Sequence, residues 1–143
     1  MKSIIPLITV VVILISCGAV DPISVIDGNY EGTYSITHNY GTDSAYTKQG
    51  KISFEFSKGR YSYIGEYYSE NGWNYYLLPE SSGIFQFNRR KVKLVDNGRH
   101  NGYVDWTLFL NGDFDYLFDG KKLSMTQVDE GNNYHHKLML VKQ

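Results

Sequence analysis

Polar and apolar residues alternate along most of this chain, and glycine-bearing turns cut the alternation into short runs. In Lys51-Ile52-Ser53-Phe54-Glu55-Phe56-Ser57, for example, Ile52, Phe54 and Phe56 share one face and charged or hydroxyl side chains the other. A period of two marks a strand with one buried face. It continues through Tyr61, Tyr63, Gly65 and Tyr67, then Phe85 and Phe87, then Val92 and Leu94. It resumes at Val104, Trp106, Leu108 and Leu110, at Phe114, Tyr116 and Phe118, at Leu123, Met125 and Gln127, and at Tyr134, His136, Leu138 and Leu140. Beyond the N-terminal leader no stretch sustains helical periodicity.

Asn111-Gly112 and Asp119-Gly120 separate three of these runs, and such dipeptides favour two-residue hairpin turns because both central residues need positive φ. Lys58-Gly59, Asn71-Gly72, Asn97-Gly98, Asn101-Gly102 and Glu130-Gly131 are further turn signals. The pattern predicts an all-β fold, an antiparallel up-and-down meander of eight to ten strands forming a barrel or a sandwich, and the short turns, which leave little room for Greek-key crossovers, favour closure into a barrel over residues 27–143. Tyr68 to Ser82 is the least regular part, and reads as an additional strand or as an aromatic loop over one barrel end.

Composition strengthens the class. The chain has 13 Tyr, 7 Phe and 2 Trp, which suit pleated surfaces, whereas alanine occurs only at Ala19 and Ala45. The net charge of −1 supplies no field for nucleic acid, and Asn88-Arg89-Arg90-Lys91 reads as a solvated turn. No serine lies in a nucleophile elbow and no glycine-rich phosphate loop precedes a helix. His135 and His136 are adjacent, so on a strand they face opposite ways and cannot share one metal. Leu117 interrupts the calcium-loop spacing of Asp113, Asp115 and Asp119, which instead solvate a face or close a turn. The expectation is a non-enzymatic protein without cofactor or metal.

The leader sets the address. Lys2 precedes an apolar run from Ile4 to Ile15, too short for a span of about 20 residues, and Leu14-Ile15-Ser16-Cys17 ends it. This order resembles the lipobox of bacterial lipoproteins. It implies a signal peptide over 1–16, acylation (palmitate among the acyl chains) at Cys17, and a lipidated tether over 17–26. Cys17 is the single cysteine, so no intrachain disulfide is available. Gly18-Ala19-Val20-Asp21 carries no acid directly after the cysteine, which favours the outer membrane of the cell envelope.

Together with that lipobox, Gly28-Asn29-Tyr30-Glu31-Gly32-Thr33-Tyr34, Leu110-Asn111-Gly112-Asp113-Phe114-Asp115-Tyr116 and Tyr134-His135-His136-Lys137-Leu138 resemble the small lipocalin-like lipoproteins of Gram-negative bacteria. Gly32-Thr33-Tyr34 is similar to the first-strand glycine-x-tryptophan element of lipocalins, with Lys137 or Lys142 as substitutes for the late arginine. The resemblance implies a small apolar or amphipathic ligand inside a barrel. Strand parity nominates Tyr63, Phe85, Trp106, Tyr116, Gln127 and His136 as pocket walls. Aromatic bulk on the same stripes fits a filled barrel equally well. In that case Tyr68, Trp73, Tyr75 and Tyr76, within residues 67–78, are the candidates for surface recognition of an envelope glycan or protein.

Overall fold

A computed structural model describes residues 25–70, 73–88, 90–100 and 108–143. Its strands are β1 (Gly28–His38), β2 (Tyr46–Ser57), β3 (Arg60–Gly65), β4 (Tyr67–Glu70), β5 (Trp73–Tyr76), β6 (Ser81–Asn88), β7 (Lys91–Asp96), β8 (Gly112–Phe118), β9 (Lys122–Asp129) and β10 (Tyr134–Lys142). Eight of them close a barrel in the order β1-β10-β9-β8-β7-β6-β3-β2, every pairing antiparallel, while β4 and β5 form a separate two-stranded sheet. Closure between β1 and β10 runs from Tyr30 opposite Lys142 to Thr37 opposite His135. The predicted meander is therefore correct, and closure leaves the barrel no open edge. The irregular segment supplies an additional strand, β5, outside the barrel order. Residues 1–24, with the leader, Cys17 and most of the tether, lie outside the described residues.

The alternation decides which side of each strand is covered. Tyr30, Tyr34 and Ile36 on β1, Ile52, Phe54 and Phe56 on β2, and Tyr61 and Tyr63 on β3 all point into one core. Phe85, Val92, Leu94, Phe114, Leu123, Met125, Leu138 and Leu140 complete it from the other strands. Ring contacts run across this interior: Phe54 stacks on Phe56 at 4.6 Å and on Tyr63 at 5.5 Å, and Phe85 meets Phe56 edge-on at 5.0 Å. Lys51, Glu55, Asp113, Asp115 and Lys137 face outward and are exposed. An apolar interior inside a charged wall is the inverse of a membrane-spanning barrel.

The two barrel ends differ. At the tight end, Lys58 and Gly59 join β2 to β3 as a two-residue turn, both at positive φ of 50° and 78°. The β6–β7 and β8–β9 turns lie at the same end, as does the C-terminus. Ile26 is buried there and accepts a 2.7 Å hydrogen bond from the Tyr30 hydroxyl. The ammonium of Lys142 stands 6.0 Å from the Tyr30 ring centroid. The aromatic facing a late base is therefore Tyr30 of Gly28-Asn29-Tyr30, whereas the sequence reading placed it at Tyr34. Gly32 serves closure differently: a Cβ there would lie 2.0 Å from the Met139 carbonyl oxygen, so β1 and β10 approach too closely for a side chain.

All long connections leave the loop end: 39–45, 66–80, 97–111 and 130–133. Two expectations fail here. Leu108 to Leu110 do not continue a strand, because Phe109 and Leu110 are both buried, whereas consecutive strand residues face opposite sides. Asn111-Gly112 is not a hairpin turn either, since Gly112 already belongs to β8, opposite Leu94 of β7. Core burial of two successive side chains overrides the local turn signal.

Candidate functional site

The β7–β8 connection is tied to the inner face of the barrel. The hydroxyl of Tyr61 donates to the Leu110 carbonyl at 3.2 Å, and the Leu110 amide donates to the Tyr63 hydroxyl at 3.1 Å. Two inward tyrosines of β3, two residues apart with parallel rings, thus grip the two sides of one residue's backbone. Gln127 adds a third link by donating its side-chain amide to the Asn111 carbonyl at 2.8 Å. Burial pushes both phenols well above their usual range. They remain neutral and able to hold this segment at any physiological pH.

Asp96, at the end of β7, organises the other end of the same connection. Its carboxylate accepts hydrogen bonds from the Ser81 hydroxyl at 2.8 Å and the Gly98 amide at 2.6 Å. His100 Nε2 lies 3.1 Å from the same carboxylate, and the His100 ring packs on Phe109 at 3.8 Å between centroids. The Asp96 amide donates to Asn111 Oδ1 at 3.2 Å. Residues 96–100 and 108–111 are therefore cross-linked to each other.

The six residues nominated as pocket walls fall into separate groups. Tyr63 and Gln127 both bind the Leu110-Asn111 stretch. Phe85 and Tyr116 share a neighbour, Phe87, at ring distances of 5.8 and 5.0 Å. Trp106 lies outside the described residues. His136, only 4 % exposed, points inward from β10, and its Nδ1 is buried with no hydrogen-bond partner. Burial pulls its pKa down to about 4, opposed by the negative charge of Asp129 and assisted by His135 and His38. His135 faces outward beside Tyr40, as strand alternation requires.

Register also assembles a cluster that sequence reading missed. His38 at the end of β1 stacks on Tyr46 at 4.7 Å and meets Tyr134 edge-on at 4.8 Å, and Tyr134 lies 6.4 Å from His136. The signal was the opposition of His38 and Tyr46 across the β1–β2 pair, which needs the register to be visible. Separately, β4 and β5 set Tyr67 opposite Tyr76, with their rings 5.0 Å apart and 52 % and 41 % exposed. Tyr68, Trp73 and Tyr75 occupy strand positions here, but their side chains lie outside the described set. Among the described residues no group of three or more His, Cys, Asp or Glu is placed to hold a metal ion.

These features define an eight-stranded antiparallel up-and-down barrel, compatible with a lipocalin-like fold. No family, no curated protein and no solved structure was found to match the chain.

The tyrosine grip yields a direct expectation. Tyr63→Phe removes the acceptor of a buried amide while keeping the ring, so stability falls by about 1–3 kcal/mol, the cost of an unsatisfied buried group. Urea denaturation measures it, and a loss below about 0.5 kcal/mol would show that the Leu110 amide has another acceptor.

Proposed function

We propose that this chain is a lipid-anchored, non-catalytic binding protein of a bacterial cell envelope, held through acyl chains on Cys17 and distinguished by its loop end. Recognition is carried by the exposed surface of that end, and its partner is an envelope glycan or protein. One observation carries this reading: Leu110, held by Tyr61 and Tyr63, is buried in a core filled with aromatic side chains, while Tyr67 and Tyr76 remain exposed at the loop end. Paired exposed tyrosines offer flat apolar faces with polar tips, a combination suited to stacking on sugars or protein side chains. The outer membrane is the proposed address, from the residues that follow Cys17.

A second reading, a small ligand held inside the barrel, is favoured by the unpartnered Nδ1 of His136. A buried polar atom without a partner is a place where a ligand's donor or acceptor would be stabilised. Native mass spectrometry of the protein exposed to an envelope extract separates the two. The surface reading expects an adduct or complex that disappears in the Tyr67→Ala, Tyr76→Ala double variant and persists in His136→Leu. The reverse dependence would replace it with the interior reading.

A further inference from the structure

Bases outnumber acids at one end of the barrel and acids outnumber bases at the other, although the whole chain is close to neutral. At the tight end, the β2–β3 turn carries Lys58 and Arg60, the β6–β7 turn carries Arg90 and Lys91, and the β8–β9 turn carries Lys121 and Lys122. Lys142 adds a further base at the end of β10. Acids at this end are fewer: Asp115 stands 3.9 Å from the Lys91 ammonium, the Asp27 carboxylate accepts the Lys58 amide at 3.2 Å, and that of Asp119 accepts the Lys121 and Lys122 amides at 2.9 and 2.6 Å. The loop end is the opposite. Asp43, Glu66, Glu80, Asp96, Asp129 and Glu130 border it, with Lys48, Lys51 and Arg99 as bases among the described residues on that side.

The tight end is also where the N-terminal segment joins the barrel. Lys142 Nζ donates to the Val25 carbonyl at 3.5 Å, so the chain preceding Val25 enters beside the last turn of the wall. From Cys17 to Val25 a fully extended chain spans at most about 28 Å. Just above this end, the outer wall exposes Leu117 (78 %), Met139 (46 %) and Val141 (36 %), which with Lys122 line a shallow groove of about 420 Å³.

We infer that the tight end is a membrane-docking surface for anionic phospholipid headgroups, so that the barrel sits upright on the bilayer with its acidic, tyrosine-bearing loop end directed away. Attraction to an anionic surface contributes about 1 kcal/mol for each base near it, and several bases act together here while the acidic end is repelled. Leu117, Met139 and Val141 lie at the height of the headgroup boundary, where apolar side chains add to the contact. Seating the barrel this way turns the anchor from a leash into an orienting device. The inference rests on the proposed N-terminal anchor for its geometry, and on the charge distribution for its lipid preference.

Lysine acetylation read by mass spectrometry tests it. The full chain is reconstituted on vesicles of phosphatidylcholine and on vesicles of phosphatidylcholine with phosphatidylglycerol. Lys58, Lys121 and Lys122 are expected to be labelled about fivefold less on the anionic vesicles, the factor that about 1 kcal/mol represents. Lys48, exposed on β2 toward the loop end, should react equally on both. Raising the ionic strength to about 1 M, where the Debye length falls to about 3 Å, should abolish the difference. The Lys58→Glu, Lys121→Glu, Lys122→Glu triple variant should show no lipid-dependent protection at Lys91 or Lys142.

Equal labelling on both vesicle types, with the protein still bound, overturns the docking surface and leaves the anchor intact. Failure of the chain to stay on any vesicle overturns the anchor instead. Protection by a soluble anionic polysaccharide but not by phosphatidylglycerol would reassign the basic end to a glycan.

Discussion

Phe54→Ala is expected to destabilise the barrel by about 3–5 kcal/mol, the usual cost of deleting a fully buried aromatic ring. Phe54 is among the buried residues of β2, and its ring stacks on Phe56, Tyr61 and Tyr63 at 4.6, 5.7 and 5.5 Å. Removing it withdraws support from both tyrosines that hold Leu110, so the packing loss reaches the loop end. A domain with total stability of about 5–15 kcal/mol keeps little reserve after such a change. Phe54→Leu, expected to cost less because it retains most of the apolar volume, gives the intermediate point. Denaturant midpoints measure both. A loss under about 1 kcal/mol for the alanine variant would mean that this interior is loosely filled, and would return weight to an internal ligand.

Acidification is expected to remove about 3 kcal/mol of stability through His136. In the unfolded chain this histidine titrates at its ordinary value of 6.5, whereas burial lowers the folded value to about 4. Between those values the unfolded state binds the proton and the folded state does not, so stability falls as pH falls. The contribution is complete above pH 6.5 and is lost progressively down to about pH 4. Asp129, whose carboxyl is held below its ordinary value mainly by the Asn132 side chain, stays ionised through this window and softens the effect. His38 and His135 act in the opposite sense. His136→Leu should flatten the stability profile between pH 6.5 and 4 relative to the parent protein, and parallel profiles would show that His136 is not held neutral in the fold.

Strand parity was legible from sequence because a sheet face is set by alternate residues and needs no partner to be read. Ile52, Phe54 and Phe56 announced the inner face of β2, and His136, Leu138 and Leu140 that of β10. The outward Asp113 and Asp115 and the turn-closing Asp119 were legible for the same reason. Leu108 to Leu110 were misread because the same apolar residues serve equally as a strand or as a plug, and only the space above Tyr61 and Tyr63 distinguishes them. The Lys142–Tyr30 contact depended on which residues of β1 and β10 stand opposite each other. That register comes from the whole closed sheet, including the close approach at Gly32.

The amino-acid sequence alone determined the all-β class, the meander, the inner face of nearly every strand and the lone cysteine behind an apolar leader, since each is a local property of spacing or residue type. Tertiary structure alone decided that the tyrosines grip the β7–β8 connection, that the histidines and tyrosines of β1, β2 and β10 gather at one end, and that the turns of the tight end bring their bases together. Those outcomes follow from closure of the sheet, which brings residues far apart in the chain to the same height on the barrel.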